Sequence, residues 1–239
     1  MKPALLVTHL PDCDPGLIRE CLEVEGCPVR GCNALALDGS RLPALADVSG
    51  IVSLGGRMSA TELAQHPFLV AELALMEAAL ERGVPVLGMC LGAQLLAVAA
   101  GGEVSRIGAV YAGWPELSIT HEGRLDPVFG EVTEGLPVLE WHEDKIDLPE
   151  IATVLGTTAT PGAAVFRVGS AAWGSQMHLE VTSPMLIDCW LDDEVGVADI
   201  EAAGHGIDEF RAESSANLPA QVLQARSAFS SFAKLLDAG

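Results

Sequence analysis

GVPVLGMCLGAQLLAVAAGG, residues 83–102, is the stretch on which the fold turns. It carries no charged side chain over about the length of a membrane span. Yet it holds Pro85, Gln94 and five glycines, and its character changes midway. VPVLGM reads as a short buried strand running into Cys90, and LGAQLLAVAAGG as a helix of Leu and Ala stopped by a glycine pair. A strand, a sharp turn and a helix inside a protein account for the run better than lipid does, and no second apolar segment of this length exists in the sequence.

The same alternation runs outward on the N-terminal side. Ala4 to His9 is a strand candidate, followed by a helix from Pro15 to Glu25 with Asp14 as its N-cap. Pro28 to Leu37 holds a weak strand, and Gly50 to Leu54 a third that ends in Gly55-Gly56. Gln65 to Arg82 repeats apolar residues at Leu69, Leu73, Met76 and Leu80, the period of a helix. Apolar strands separated by helices predict a doubly wound α/β fold, with a mostly parallel central sheet covered by helices on both faces. After about Gly108 the pattern becomes one of shorter strands, at 110–120, 138–141, 163–168 and 172–178, which predicts antiparallel strands added to the core. From Ser183 onward the chain reads as helical again, with ten acids against three bases. There is no internal repeat or linker, so residues 1–239 are expected to form a single domain, with 183–239 a helical segment packed on the rest.

Composition narrows the function. The 239 residues include 33 acids and 13 bases, a formal charge of −20, with 49% hydrophobic side chains. That is ample for a core, and the charge argues against both nucleic acid and an anionic membrane surface as partners. The six cysteines form no C-x-x-C pair and no zinc-like Cys/His spacing, so no metal is expected. The apolar run before His9 and Pro11 is too short for a signal peptide, which predicts a cytoplasmic protein with free thiols.

Gly88-Met89-Cys90-Leu91-Gly92 is a G-x-C-x-G sequence at the strand-to-helix junction, the cysteine form of a nucleophile elbow. The turn lifts Cys90 off the sheet, and its flanking glycines leave no β-carbon to clash. The helix starting at Leu91 points its positive end at the sulfur and offers the Leu91 N–H to an oxyanion. Of six histidines, His178 stands apart because Glu180 follows two residues later. In an extended chain the two side chains share a face, so Glu180 can orient the imidazole while the other nitrogen faces Cys90. Gly55-Gly56 could add a second backbone N–H, and Gln94, one turn into the helix, could meet a polar substrate group.

The segments LGGRMS (54–59), VPVLGMCLGAQLLA (84–97), WHEDKIDLP (141–149) and GSQMHLEVT (174–182) together resemble the ordered motif set of class I glutamine amidotransferases. They are most similar to the amidotransferase domain of GMP synthetase and its free-standing relatives. The resemblance spans residues 4–182 and implies a Cys90–His178–Glu180 triad, with an oxyanion hole from the Gly56 and Leu91 amides. It further implies substrate binding by Gln94 and Gly55, with His142 and Asp144 at the pocket rim, and no cofactor. Arg57 and Leu179 stand where the family usually has proline. Three outcomes stay open on this scaffold. The chain could be a glutaminase handing ammonia to a synthetase partner, a free-standing hydrolase of small γ-glutamyl amides or peptides, or a binding or redox-sensing protein without catalysis.

Overall fold

The computed structural model describes residues 2–10, 16–36, 42–192 and 194–236. Strands β1 (Ala4–Thr8), β2 (Val29–Asn33), β3 (Gly50–Ser53) and β4 (Val86–Met89) alternate with helices α1 (Leu17–Val24), α2 (Pro67–Arg82) and α3 (Leu91–Ala99). These are followed by β5 (Glu103–Gly113), β6 (Glu116–Ile119), the single turn α4 (His121–Arg124), β7 (Leu136–Pro137) and β8 (Glu140–Asp147). Then come β9 (Ala152–Thr157), β10 (Val165–Val168), β11 (Ala172–Ser175), and the helices α5 (Pro184–Leu191), α6 (Glu194–Ala202) and α7 (Ile207–Leu236).

The main sheet runs in the order β2-β1-β3-β4-β11-β10-β9-β6-β7. From β2 through β11 every pairing is parallel, and from β11 outward every pairing is antiparallel. Along β1 the side chains alternate between two cores. Ala4 and Leu6 join α1 and α7 on one face, whereas Leu5 and Val7 join α2 and α3 on the other. Burial on both faces is why these strands are continuously apolar. The doubly wound α/β reading therefore matches the architecture, antiparallel extension included.

Two details differ from the sequence reading. The run 110–120 is not one strand, because Pro115 has no N–H for a ladder and the chain changes partner there. β5 leaves the main sheet to pair with β8 in a separate ribbon, whereas β6 joins β9. The expected cap Asp14 lies outside the described residues, and α1 opens after Gly16, at φ 64°. In contrast, α2 has Pro67 in its first turn and ends on left-handed Gly83, at φ 64°.

The C-terminal helices pack against the rest of the chain. Ile187, Leu191, Ile200, Phe210 and Leu218 form an apolar cluster with Trp114, Leu139 and Val181. The far half of α7 contributes Phe229, Phe232 and Leu236 to the face shared with α1. Among the described residues no helix is long and apolar enough to cross a membrane.

Candidate active site

The turn between β4 and α3 is held in an unusual backbone conformation. Cys90, at φ 48° and ψ −105°, is the one non-glycine residue with positive φ among those described. Such strain persists only where the surroundings enforce it. Here the Cys90 N–H donates to the Ser175 carbonyl at 2.7 Å, and the Cys90 carbonyl accepts from Gln94 N–H at 3.0 Å. A Cβ on Gly88 would lie 2.4 Å from the Gly92 carbonyl oxygen, and one on Gly92 would lie 2.2 Å from that of Ser53. Only glycines fit at these positions, as the elbow reading requires.

His178 lies beyond the end of β11, in a turn rather than an extended strand. The turn closes through Val181 N–H donating to the His178 carbonyl at 3.3 Å. The expected pairing forms nonetheless, with His178 Nδ1 2.8 Å from Glu180 Oε1. His178 Nε2 and Cys90 Sγ converge on one carbonyl oxygen, that of Trp141, at 3.4 Å and 4.0 Å. Gln176 Nε2 donates to the Cys90 sulfur at 3.5 Å. Burial disfavours a charged His178, but the adjacent Cys90 and Glu180 more than offset this and hold its pKa well above the usual histidine value.

The remaining predicted residues gather around the same cleft, of about 230 Å³, which Gly55, Gly56, Gln94, His142, Asp144 and Glu180 all line. A Cβ on Gly55 would meet His178 Cε1 at 2.9 Å, and one on Gly56 would meet His9 Cβ at 2.7 Å, so neither glycine leaves room for a side chain beside the two histidines. Leu91 opens α3, where the first helical amides have no partner within the helix. Gln94 accepts from Ala60 N–H at 3.1 Å and donates to Asp144 Oδ2 at 3.3 Å. His142 Nδ1 donates to the Asp144 carbonyl at 2.8 Å, and its ring stacks on Tyr111.

Several lining residues were not singled out from sequence. Arg106 faces Asp144 across the β5–β8 ribbon, its Nε 3.4 Å from Asp144 Oδ1, and also pairs with Glu143 and Glu62. Trp190, from α5, stands edge-on to the His178 ring at 4.8 Å between centroids. Trp141 Nε1 donates to Asp199 of α6 at 2.9 Å. Arg106 and Trp190 lie in no motif, and although Trp141 opens the 141–149 segment, its link to Asp199 of α6 is a long-range one that the segment does not reveal. His9, ordinary in its sequence neighbourhood, is fully buried and paired with Glu72. Among the described residues no group of three or more His, Cys, Asp or Glu side chains is arranged to hold a metal ion.

An elbow cysteine thus stands at the carboxyl end of the parallel strands, beside a His–Glu pair. The family profile described as Glutamine amidotransferase class-I matches residues 18–192, and the chain belongs to that family. The glutamine amidotransferase-like protein YfeJ of Salmonella typhimurium is 30% identical over 148 residues, covering 60% of this chain and 62% of its own. A glutamine-hydrolysing GMP synthase of Edwardsiella ictaluri is 33% identical over 56% of this chain but only 26% of its own length. The matched region thus falls short of two thirds of either relative. Among solved structures, a glutamine amidotransferase from Thermotoga maritima superposes with a TM-score of 0.82 at 26% identity, covering 99% of this chain and 98% of the other. One from Methylobacillus flagellatus gives 0.87 at 25% identity, over 98% and 95% of the two chains.

Proposed function

We propose that the chain cleaves the γ-amide of glutamine or of a γ-glutamyl compound through a thioester on Cys90. The observation that carries this reading is the His178 imidazole, paired with Glu180 on one side and turned toward the elbow thiol on the other. His178 takes the thiol proton and the Cys90 sulfur attacks the γ-carbonyl carbon. The tetrahedral oxyanion accepts hydrogen bonds from the Gly56 and Leu91 N–H groups, each such donor contributing roughly 10²–10³ in kcat. As the C–N bond breaks, His178 gives its proton to the leaving nitrogen, which departs as ammonia or an amine. His178 then deprotonates a water, which attacks the thioester. Glutamate leaves, and the proton returns to sulfur.

Gln94, held by Ala60 and Asp144, sits with Gly55, His142 and Asp144 at the polar side of the cleft, which suits the α-amino-acid end of the substrate. The GMP synthase relatives are named as glutamine-hydrolysing, which supports glutamine as acyl donor and a synthetase partner as receiver of the ammonia. A second reading, a free-standing hydrolase of γ-glutamyl amides, is favoured by the apolar wall that α5 and α6 add beside His178. Leu186, Trp190 and Val195 line the cleft, and Trp190 stands edge-on to His178, the group that in this reading hands its proton to the leaving amine.

The test uses the purified chain with glutamine and with γ-glutamyl anilide, alongside a Cys90→Ser variant. Wild type should be labelled on Cys90 by a chloroketone analogue of glutamine and should turn over at least one of the two amides, and C90S should do neither. Turnover retained in C90S would refute the nucleophile assignment. Faster turnover of the anilide by the isolated chain selects the hydrolase, and weak glutaminase activity that rises with a synthetase present selects the partnered enzyme.

A further inference from the structure

A second imidazole–carboxylate pair lies directly beneath the Leu54–Gly56 loop. His9, one residue past β1, is 1% exposed, and Glu72 of α2 is fully buried. His9 Nε2 is 2.7 Å from Glu72 Oε2, and His9 Nδ1 is 3.1 Å from the Leu54 carbonyl oxygen. The other carboxylate oxygen accepts from Ser53 Oγ at 2.6 Å. His9 and Glu72 are thereby tied to the two successive residues that lead into Gly55-Gly56.

The partners fix the protons. A carbonyl oxygen only accepts, so Nδ1 must carry a hydrogen to bond Leu54. The short contact between Nε2 and the carboxylate holds a second proton. Burial disfavours a charged ring, but Glu72 and the Leu54 and Gly55 backbone outweigh it, so the His9 pKa is raised. The loop also passes close to the His9 side chain, since a Cβ on Gly56 would come within 2.7 Å of His9 Cβ and 3.3 Å of its Cγ.

Consecutive glycines have no side chains with which to fix their own amides, and a free Gly-Gly loop samples many conformations. An oxyanion-hole donor contributes only when it is already aimed at the developing charge. We infer that His9, locked by Glu72, is a positioning residue that sets the Leu54–Gly56 loop so that the Gly56 N–H faces the tetrahedral intermediate. This role rests on the amidohydrolase reading above. It predicts a loss confined to the chemical step, which a plain core ion pair would not produce.

Two amide substitutions separate the two bonds of the ring. The side-chain nitrogen of His9→Gln replaces Nε2, keeping the link to Glu72 and losing the one to Leu54. That of His9→Asn replaces Nδ1 and keeps the loop anchor. With glutamine, or whichever γ-glutamyl amide wild type turns over, H9Q should lose about 10²-fold in kcat, the size of a lost oxyanion donor. Its KM should stay within about threefold of wild type, and Cys90 alkylation by iodoacetamide should be unchanged, since neither the nucleophile nor its base is touched. H9N should recover most of the lost kcat. Should H9Q not fold, the uncharged H9N/E72Q pair keeps the same anchor, and a 100-fold kcat loss in it would overturn the inference. So would wild-type kcat in H9Q, or equal kcat losses in H9Q and H9N. A wild-type chain that neither turns over either amide nor takes the chloroketone label overturns the functional reading along with this one, whereas active wild type with active H9Q overturns this one alone.

Discussion

At the scale of single residues, the behaviour of His178 is set by opposing forces. Burial pushes its proton off, and Cys90 and Glu180 hold it on more strongly, so its folded pKa stands well above that of the unfolded chain. A group with a raised pKa stabilises the fold fully below its unfolded value, near 6.5, and loses that contribution as pH climbs through the raised value. Urea unfolding of wild type and His178→Gln between about pH 6 and about pH 10 should therefore show a stability gap that narrows on the alkaline side. A gap that widens with pH would contradict the assignment. The turn at Cys90 and the pairing of His178 with Glu180 were legible in the sequence because each lies in a short local pattern. His9 and Glu72 were not, being 63 positions apart with no motif around either. Nor was Arg106, whose partner Asp144 comes to it only through ribbon register.

At the scale of elements, α7 reaches into the site it appears remote from. Gln221, fully buried, accepts from Leu139 N–H at 2.8 Å and donates to the carbonyls of His178 and Val181 at 3.1 and 3.2 Å. It thus clamps the turn that carries the imidazole. Gln221→Leu would leave the Leu139 N–H and the Val181 carbonyl unpaired, at a cost of roughly 1–3 kcal/mol each where water cannot reach, and the His178 carbonyl with Val181 N–H alone. The expected result is a lower melting temperature and a fall in kcat of at least about tenfold, read by calorimetry and by amidase assay on the same preparation. Unchanged turnover would show that the turn holds itself. The helical nature of this segment was readable from the sequence, but its contact with the active site was not, because one glutamine among polar helix residues gives no sign of where its amide points. The β3, β4 and α3 positions were readable because apolar strands ended by glycines admit few alternatives. The ribbon of β5 and β8 was missed because β5 is only partly buried, and the positions that β8 buries, Glu140, His142, Asp144 and Ile146, are mostly polar, so its alternation carries no hydropathy signal.

At the scale of the whole molecule, a formal charge of −20 on 239 residues makes the folded state repel itself. Added salt screens charges beyond about 10 Å at 0.1 M, leaving closely paired buried groups largely untouched. Raising sodium chloride from about 0.02 to about 0.5 M should therefore raise the melting temperature, with little change in the alkylation rate of Cys90. A melting point that falls with salt would mean that surface ion pairs such as Arg226–Glu20 and Arg211–Asp188 outweigh the repulsion. The clamp formed by Gln221 also bears on biosynthesis. On the ribosome the thiol, the glycine loop and the histidine are all polymerised before the glutamine that fixes the imidazole turn. In a nascent chain Cys90 and His178 thus emerge before Gln221, and the turn that seats the imidazole is fully held only once α7 has docked.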